Sequence, residues 1–257
     1  MPSVINSSVY LVNYLYFPFR DLIIMLLKFL YIFLLLSVPA FASSAVFDVT
    51  NARQMTEALR NAGTNGEADV INVLSDISAI ESMVYMAENC PLTINGNGFS
   101  VNGNKTYRCL EIKDNKTPFT NAHLTINSLV FRDGAALAAG GLLVNFRSVN
   151  NSSSITLIGC TFRGNRAVLY EYGWGGGAYL ISYHGDINVS ECKFEKNFSA
   201  GGGGGAKIEA SGRGNVFVTG CRFSNNSAVS WYGGMLAHAV GGGTLCFTGN
   251  VIEGNSS

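Results

Sequence analysis

One short pattern returns along this chain and constrains every other reading of it. Cys160-Thr161-Phe162-Arg163-Gly164-Asn165 recurs as Cys192 to Asn197 and again as Cys221 to Asn226, a period of about thirty residues. Written as apolar-x-apolar-x-x-small-x-Phe-x-x-Asn, the pattern fits six copies, beginning at Leu92, Leu124, Ile155, Ile187, Val216 and Leu245.

The first two apolar positions are Leu92/Ile94, Leu124/Ile126, Ile155/Leu157, Ile187/Val189, Val216/Val218 and Leu245/Phe247. Alternation over so short a span reads as a half-buried strand, one row of side chains facing a core and the other facing water. The longer step to the next apolar position demands a bend. Beyond it stand Phe99, Phe131, Phe162, Phe194, Phe223 and Ile252, which this register stacks as a largely aromatic ladder. Three residues later come Asn102, Gly134, Asn165, Asn197, Asn226 and Asn255. Both residue types tolerate left-handed backbone, so this position reads as a turn, and Asn can also bond backbone groups in the coils above and below. A further short strand is opened by Gly140-Gly141, Gly176-Gly177, Gly204-Gly205 and Gly233-Gly234.

A unit of two or three short strands joined by bends cannot bury its apolar row alone, so it must stack on its neighbours. Stacking at ~4.8 Å per coil predicts an all-β chain folded as a right-handed, single-stranded parallel β-helix, with six coils forming a rod about 25 to 30 Å long. The Leu-x-x-Leu-x-Leu pattern of leucine-rich repeats is missing, and a propeller blade would need four strands and more residues per unit. Ahead of the repeats, residues 50–62 read as one amphipathic helix with Met55, Ala58, Leu59 and Ala62 on a shared face. Thr50 or Asn51 suits its N-cap and Gly63 its end. The expected organisation is therefore a capping segment over residues 43–80 and repeats over residues 81–257. No matching lid is legible at the other end, where the sequence stops in mid-coil, and a truncated parent protein is expected.

These residues resemble the pectin-lyase-like right-handed β-helix superfamily and, within it, the polymorphic outer membrane protein repeats of autotransporter passengers. The matches are the FxxN tetrapeptides Phe99 to Asn102, Phe162 to Asn165, Phe194 to Asn197 and Phe223 to Asn226, with Gly176-Gly177-Ala178-Tyr179 and Gly204-Gly205-Ala206-Lys207. The resemblance covers roughly residues 90 to 257 and implies a fold that carries lyases, hydrolases and adhesins alike. The C-terminal membrane barrel of such autotransporters has no counterpart in this sequence.

Seventeen basic and seventeen acidic side chains leave no net field to draw nucleic acid. Leu22 to Phe41 is almost continuously apolar, broken by Lys28. Read from Met25, it has the basic start, apolar run and Pro39-Ala40-Phe41-Ala42 cleavage region of an export signal. Residues 1–42 are therefore expected to be a leader removed before Ser43, with secretion or cell-envelope location following. Membrane attachment would come only through an uncleaved leader or an anchor absent from this sequence. Export would allow disulfides among Cys90, Cys109, Cys160, Cys192, Cys221 and Cys246. Three of these share one repeat position, so most are expected to be buried thiols acting as small apolar residues.

Similar β-helix lyases use aspartates to hold calcium with an arginine base, and the hydrolases use paired aspartates. Asp114, Asp133 and Asp186 fall at different offsets in the coil and form neither cluster. His123, His184 and His238 likewise share no coil position, so no metal or other cofactor is expected. The Gly201–Gly205 run lacks the Gly-Lys-Ser/Thr of a phosphate loop. What remains is aromatic: Tyr170, Tyr172 and Trp174 in one copy, Trp231 and Tyr232 two copies on, with Gly202 to Gly204 between. Two patches about 10 Å apart across a glycine shelf are expected, suited to the apolar faces of sugar rings. The expected function is a non-catalytic adhesin-like or passenger-like protein that binds a glycan or a cell-surface protein, and the alternative is a polysaccharide lyase or glycoside hydrolase.

Overall fold

A computed structural model describes residues 44–114, 122–147 and 153–257. The leader expected over residues 1–42 lies outside the described residues. The fold is a right-handed parallel β-solenoid with one short helix near its N-terminus. Its strands collect into four parallel sheets of eight, seven, six and four strands. Each full coil visits them in the order sheet 1, sheet 2, the two-residue strands of sheet 4, then sheet 3.

The expected register holds along sheet 1. Leu92, Leu124, Ile155, Ile187, Val216 and Leu245 are successive partners, and all but Leu245 are buried. Strands Ser44–Val49 and Ala68–Val73 extend the same sheet ahead of Leu92, joined by helix α1, Ala52–Ala62. Asn51 caps α1 by accepting from the Gln54 N–H, and Met55, Ala58, Leu59 and Ala62 face the core. Gly63 ends it without entering the left-handed region.

Sheet 2 carries the aromatic ladder. Phe131, Phe162, Phe194 and Phe223 are fully buried, and their rings stack at 4.8, 4.7 and 4.6 Å within 6° of parallel. Phe99 is not in it. Val101 is the partner of Phe131, because the bend after Leu92–Asn95 holds two more residues than the bend after Leu124–Asn127. Asn97 and Gly98, both left-handed, take up that excess, and Phe99 packs half-buried beside the core. Asn102 moves with it and stands beside Arg132 rather than in the asparagine column.

That column runs through Asn165, Asn197, Asn226 and Asn255. Each side chain accepts from the backbone N–H of the preceding coil at 2.9 to 3.0 Å (Gly134, Asn165, Asn197 and Asn226 in turn). Each also donates to the carbonyl of the preceding ladder position at 2.8 to 3.0 Å. The left-handed residue of the turn is the one before: Asp133, Gly164, Lys196, Asn225 and Gly254 all have φ between 51° and 67°. Asparagine is therefore present for its amide, which satisfies two buried backbone groups per coil.

The double glycines belong to the same unit. A Cβ on Gly177 would lie 2.5 Å from the Gly205 carbonyl and 3.1 Å from the Asn197 amide, and Gly141 and Gly205 are equally crowded. Glycine lets the chain pass close enough to pack on the asparagine column. Gly177→Ala is expected to cost about 1 to 3 kcal/mol by overpacking, read as a lower denaturant midpoint, whereas Gly66→Ala is a control in open space with strain from its left-handed φ alone.

In the last described coil the ladder positions open to solvent. Leu245 is 46 %, Phe247 41 % and Ile252 55 % exposed, where their counterparts one coil earlier are at 0 %.

Candidate functional site

The outer face of sheet 3 is where polar and aromatic side chains converge. Strands Leu142–Phe146, Ala178–Ser182 and Ala206–Ala210 lie side by side with Leu143, Tyr179 and Lys207 in register. Two residues on, Asn145, Ile181 and Glu209 form a second outward row. The alternate positions, Val144, Leu180 and Ile208 among them, are fully buried in the core. The sheet therefore offers a rigid floor whose outward groups are fixed by strand alternation.

Trp174 walls this floor. Its carbonyl accepts from the Ala139 N–H at 3.0 Å, which pins the loop to the coil before. The indole of Trp231, two coils on, stacks on that of Trp174 with centroids 5.7 Å apart and 12° between planes. This differs from the two separated patches expected across a bare shelf. A Cβ on Gly202 would come 2.9 Å from the Trp174 ring, so the glycine does not leave a gap. It lets the indoles lean over the intervening coil and remove each other's faces from water. Tyr170, Tyr172, Trp231 and Tyr232 remain 56 to 66 % exposed, and of these Tyr172 lines the cleft.

The cleft between this wall and the floor encloses about 470 Å³. Lys207 Nζ lies 4.1 Å from the Trp174 ring centroid, 4.9 Å from that of Tyr179 and 3.5 Å from a Glu209 carboxylate oxygen. The Tyr179 hydroxyl donates to Glu209 at 3.3 Å and accepts from Arg147 at 3.2 Å, and Arg147 lies 3.8 Å from Glu209. Burial, with Glu209 adding to it, pushes the Tyr179 phenol up to about 12, so it is a donor at neutral pH. Burial lowers the Lys207 ammonium against the opposing pull of Glu209. Asn145 Oδ1 is buried in this floor without a hydrogen-bond donor.

Sequence reasoning reached the aromatic loop and missed Arg147, Tyr179, Lys207 and Glu209. The signal was present, because the two Gly-Gly-Ala motifs end on Tyr179 and Lys207 and so place those residues side by side. Among the described residues lining the cleft, Glu209 is the only carboxylate. Asp133 sits at the turn after sheet 2 beside Arg132, and Asp186 precedes sheet 1, where it accepts from the N–H and side chain of Asn215. Among the described residues no group of three or more His, Cys, Asp or Glu is placed to hold a metal ion.

Residues 147–257 match the family model described as a right handed beta helix region. No curated protein and no solved structure is similar enough to count as a match.

Proposed function

On a right-handed parallel β-helix whose third sheet carries this cleft, we propose a non-catalytic protein that binds an extended glycan on its flank, outside the cell. The observation that carries the reading is the pairing of an exposed ring on the aromatic wall, Tyr172, with a floor of fixed donors and acceptors. A sugar ring needs both, an apolar face to stack on and oriented hydrogen bonds for its hydroxyls. Hydrolysis of a glycosidic bond ordinarily takes two carboxyl groups flanking it, and among the described residues this cleft supplies Glu209 alone, already engaged by Lys207 and Tyr179. The apolar segment Leu22 to Phe41 supports export, and the FxxN and Gly-Gly-Ala repeats support an adhesin-like passenger role.

The test is binding of the purified protein to a glycan panel while reducing and unsaturated ends are monitored. We expect saturable binding without product. Tyr172→Ala, which removes an exposed ring, and Glu209→Gln should each weaken it about tenfold. Release of reducing or unsaturated ends would replace this reading with a polysaccharide-active enzyme, the reading favoured by the lowered Lys207 ammonium beside the Tyr179 phenol.

A further inference from the structure

Cys160, Cys192 and Cys221 occupy one position in three successive coils, and all three are buried and reduced. The column is closed at its ends by other residues, Leu129 before Cys160 and Asn250 after Cys221, the latter accepting from the Cys221 N–H at 2.8 Å. Cys192 is thus the member with a cysteine on each side. Two residues along the same strands the phenylalanine rings stack at 4.7 and 4.6 Å, which measures the coil spacing at this corner. That spacing lies within the ~4.4 to 6.8 Å between Cα atoms that a disulfide spans.

Two of the thiols reach along the rod, while that of Cys192 donates to the Ser190 carbonyl of its own coil at 3.2 Å. The Cys192 N–H donates to Cys221 Sγ at 3.4 Å, and the thiols of Cys160 and Cys221 each donate to a carbonyl of the preceding coil, Ile126 and Val189, at 3.4 Å. We propose that this column is an oxidation site that takes one disulfide per chain, always through Cys192, with Cys160 and Cys221 as alternative partners.

In the step, two S–H bonds break and one Sγ–Sγ bond forms. The two protons and two electrons they give up reduce a small-molecule disulfide such as oxidised glutathione to two thiols. The third cysteine can then attack the Cys192 sulfur and release the first partner as thiolate. Three sulfurs in a row suit such exchange, in which attacking, central and leaving sulfurs line up. Cys192, the central member, is the sulfur under attack, and Cys160 and Cys221 serve in turn as attacking and leaving group. Because the column is sealed in the core, the oxidant enters by local opening or during folding.

The full chain would be equilibrated with oxidised and reduced glutathione, both as folded protein and during refolding from denaturant. Thiols would then be blocked and the disulfides mapped by mass spectrometry. Two of the three column thiols should disappear, with Cys160–Cys192 and Cys192–Cys221 peptides both present. Cys160→Ala should leave only Cys192–Cys221, Cys221→Ala only Cys160–Cys192, and Cys192→Ala neither. A folded wild-type chain that keeps all three thiols in both arms would overturn the proposal. So would a Cys160–Cys221 bond, or bonds confined to Cys90, Cys109 or Cys246, and these readouts need no variant to fold.

Discussion

Asn197→Ala is expected to remove about 3 kcal/mol or more of folding stability, a large effect for three heavy atoms on a chain of this size. The side chain is 1 % exposed and accepts from both the N–H and the side chain of Asn165. It donates to the Phe162 carbonyl and to Asn226. Truncation leaves the buried Asn165 N–H without its acceptor, so the penalty is desolvation as well as lost bonds. Urea midpoints measure it. Asn255→Ala, at the half-buried end of the same column, is expected to cost clearly less, and equal losses at both positions would show that the column does not work as described.

Phe194→Ala carries the other large effect, about 3 to 5 kcal/mol. The ring is fully buried and stacked on both faces, against Phe162 at 4.7 Å and Phe223 at 4.6 Å. Parallel strands on either side hold the coils at fixed spacing, so the neighbours cannot collapse into the space and the cavity persists. Phe194→Leu is expected to recover most of the loss. Ile252→Ala, at the open end of the ladder and 55 % exposed, should stay under about 1 kcal/mol. A thermal melting series over the three variants would give this order, and a flat series would contradict it.

Most of the scaffold was legible because it is periodic. Strand alternation fixed which of Ile155 and Thr156 faces the core, and the repeat fixed that Ile187 lies beside Ile155. The failures come where the period breaks. Two extra bend residues in the first copy shifted Phe99 and Asn102 out of columns that Val101 and its neighbours enter instead. The role of asparagine was half legible: its bonds to adjacent coils were foreseen, whereas the left-handed angle belongs to the residue before it, since an amide aimed along the rod requires ordinary backbone at its own position. The site was harder still. Its charged members stand at outward strand positions, and only the in-register pairing of Tyr179 with Lys207 sets them in one cleft with Trp174. The Gly-Gly-Ala motifs mark the Tyr179–Lys207 pair, but no local motif adds Arg147, Trp174 and Glu209 to it, because the contributing residues come from three different coils.

The Trp174–Trp231 stack reaches over Gly202 and skips a coil, so it depends on how many coils lie between its members and on which of them lacks a side chain. The ladders have no such memory, because each coil asks only that its nearest neighbour match it. A deletion or duplication of one whole repeat between these tryptophans would therefore leave a rod that folds while erasing the aromatic wall. Length and flank pattern are separable properties in this molecule: repeats can come and go while the rod still folds, and the aromatic face is redrawn each time by which coils they bring within a ring's span of one another.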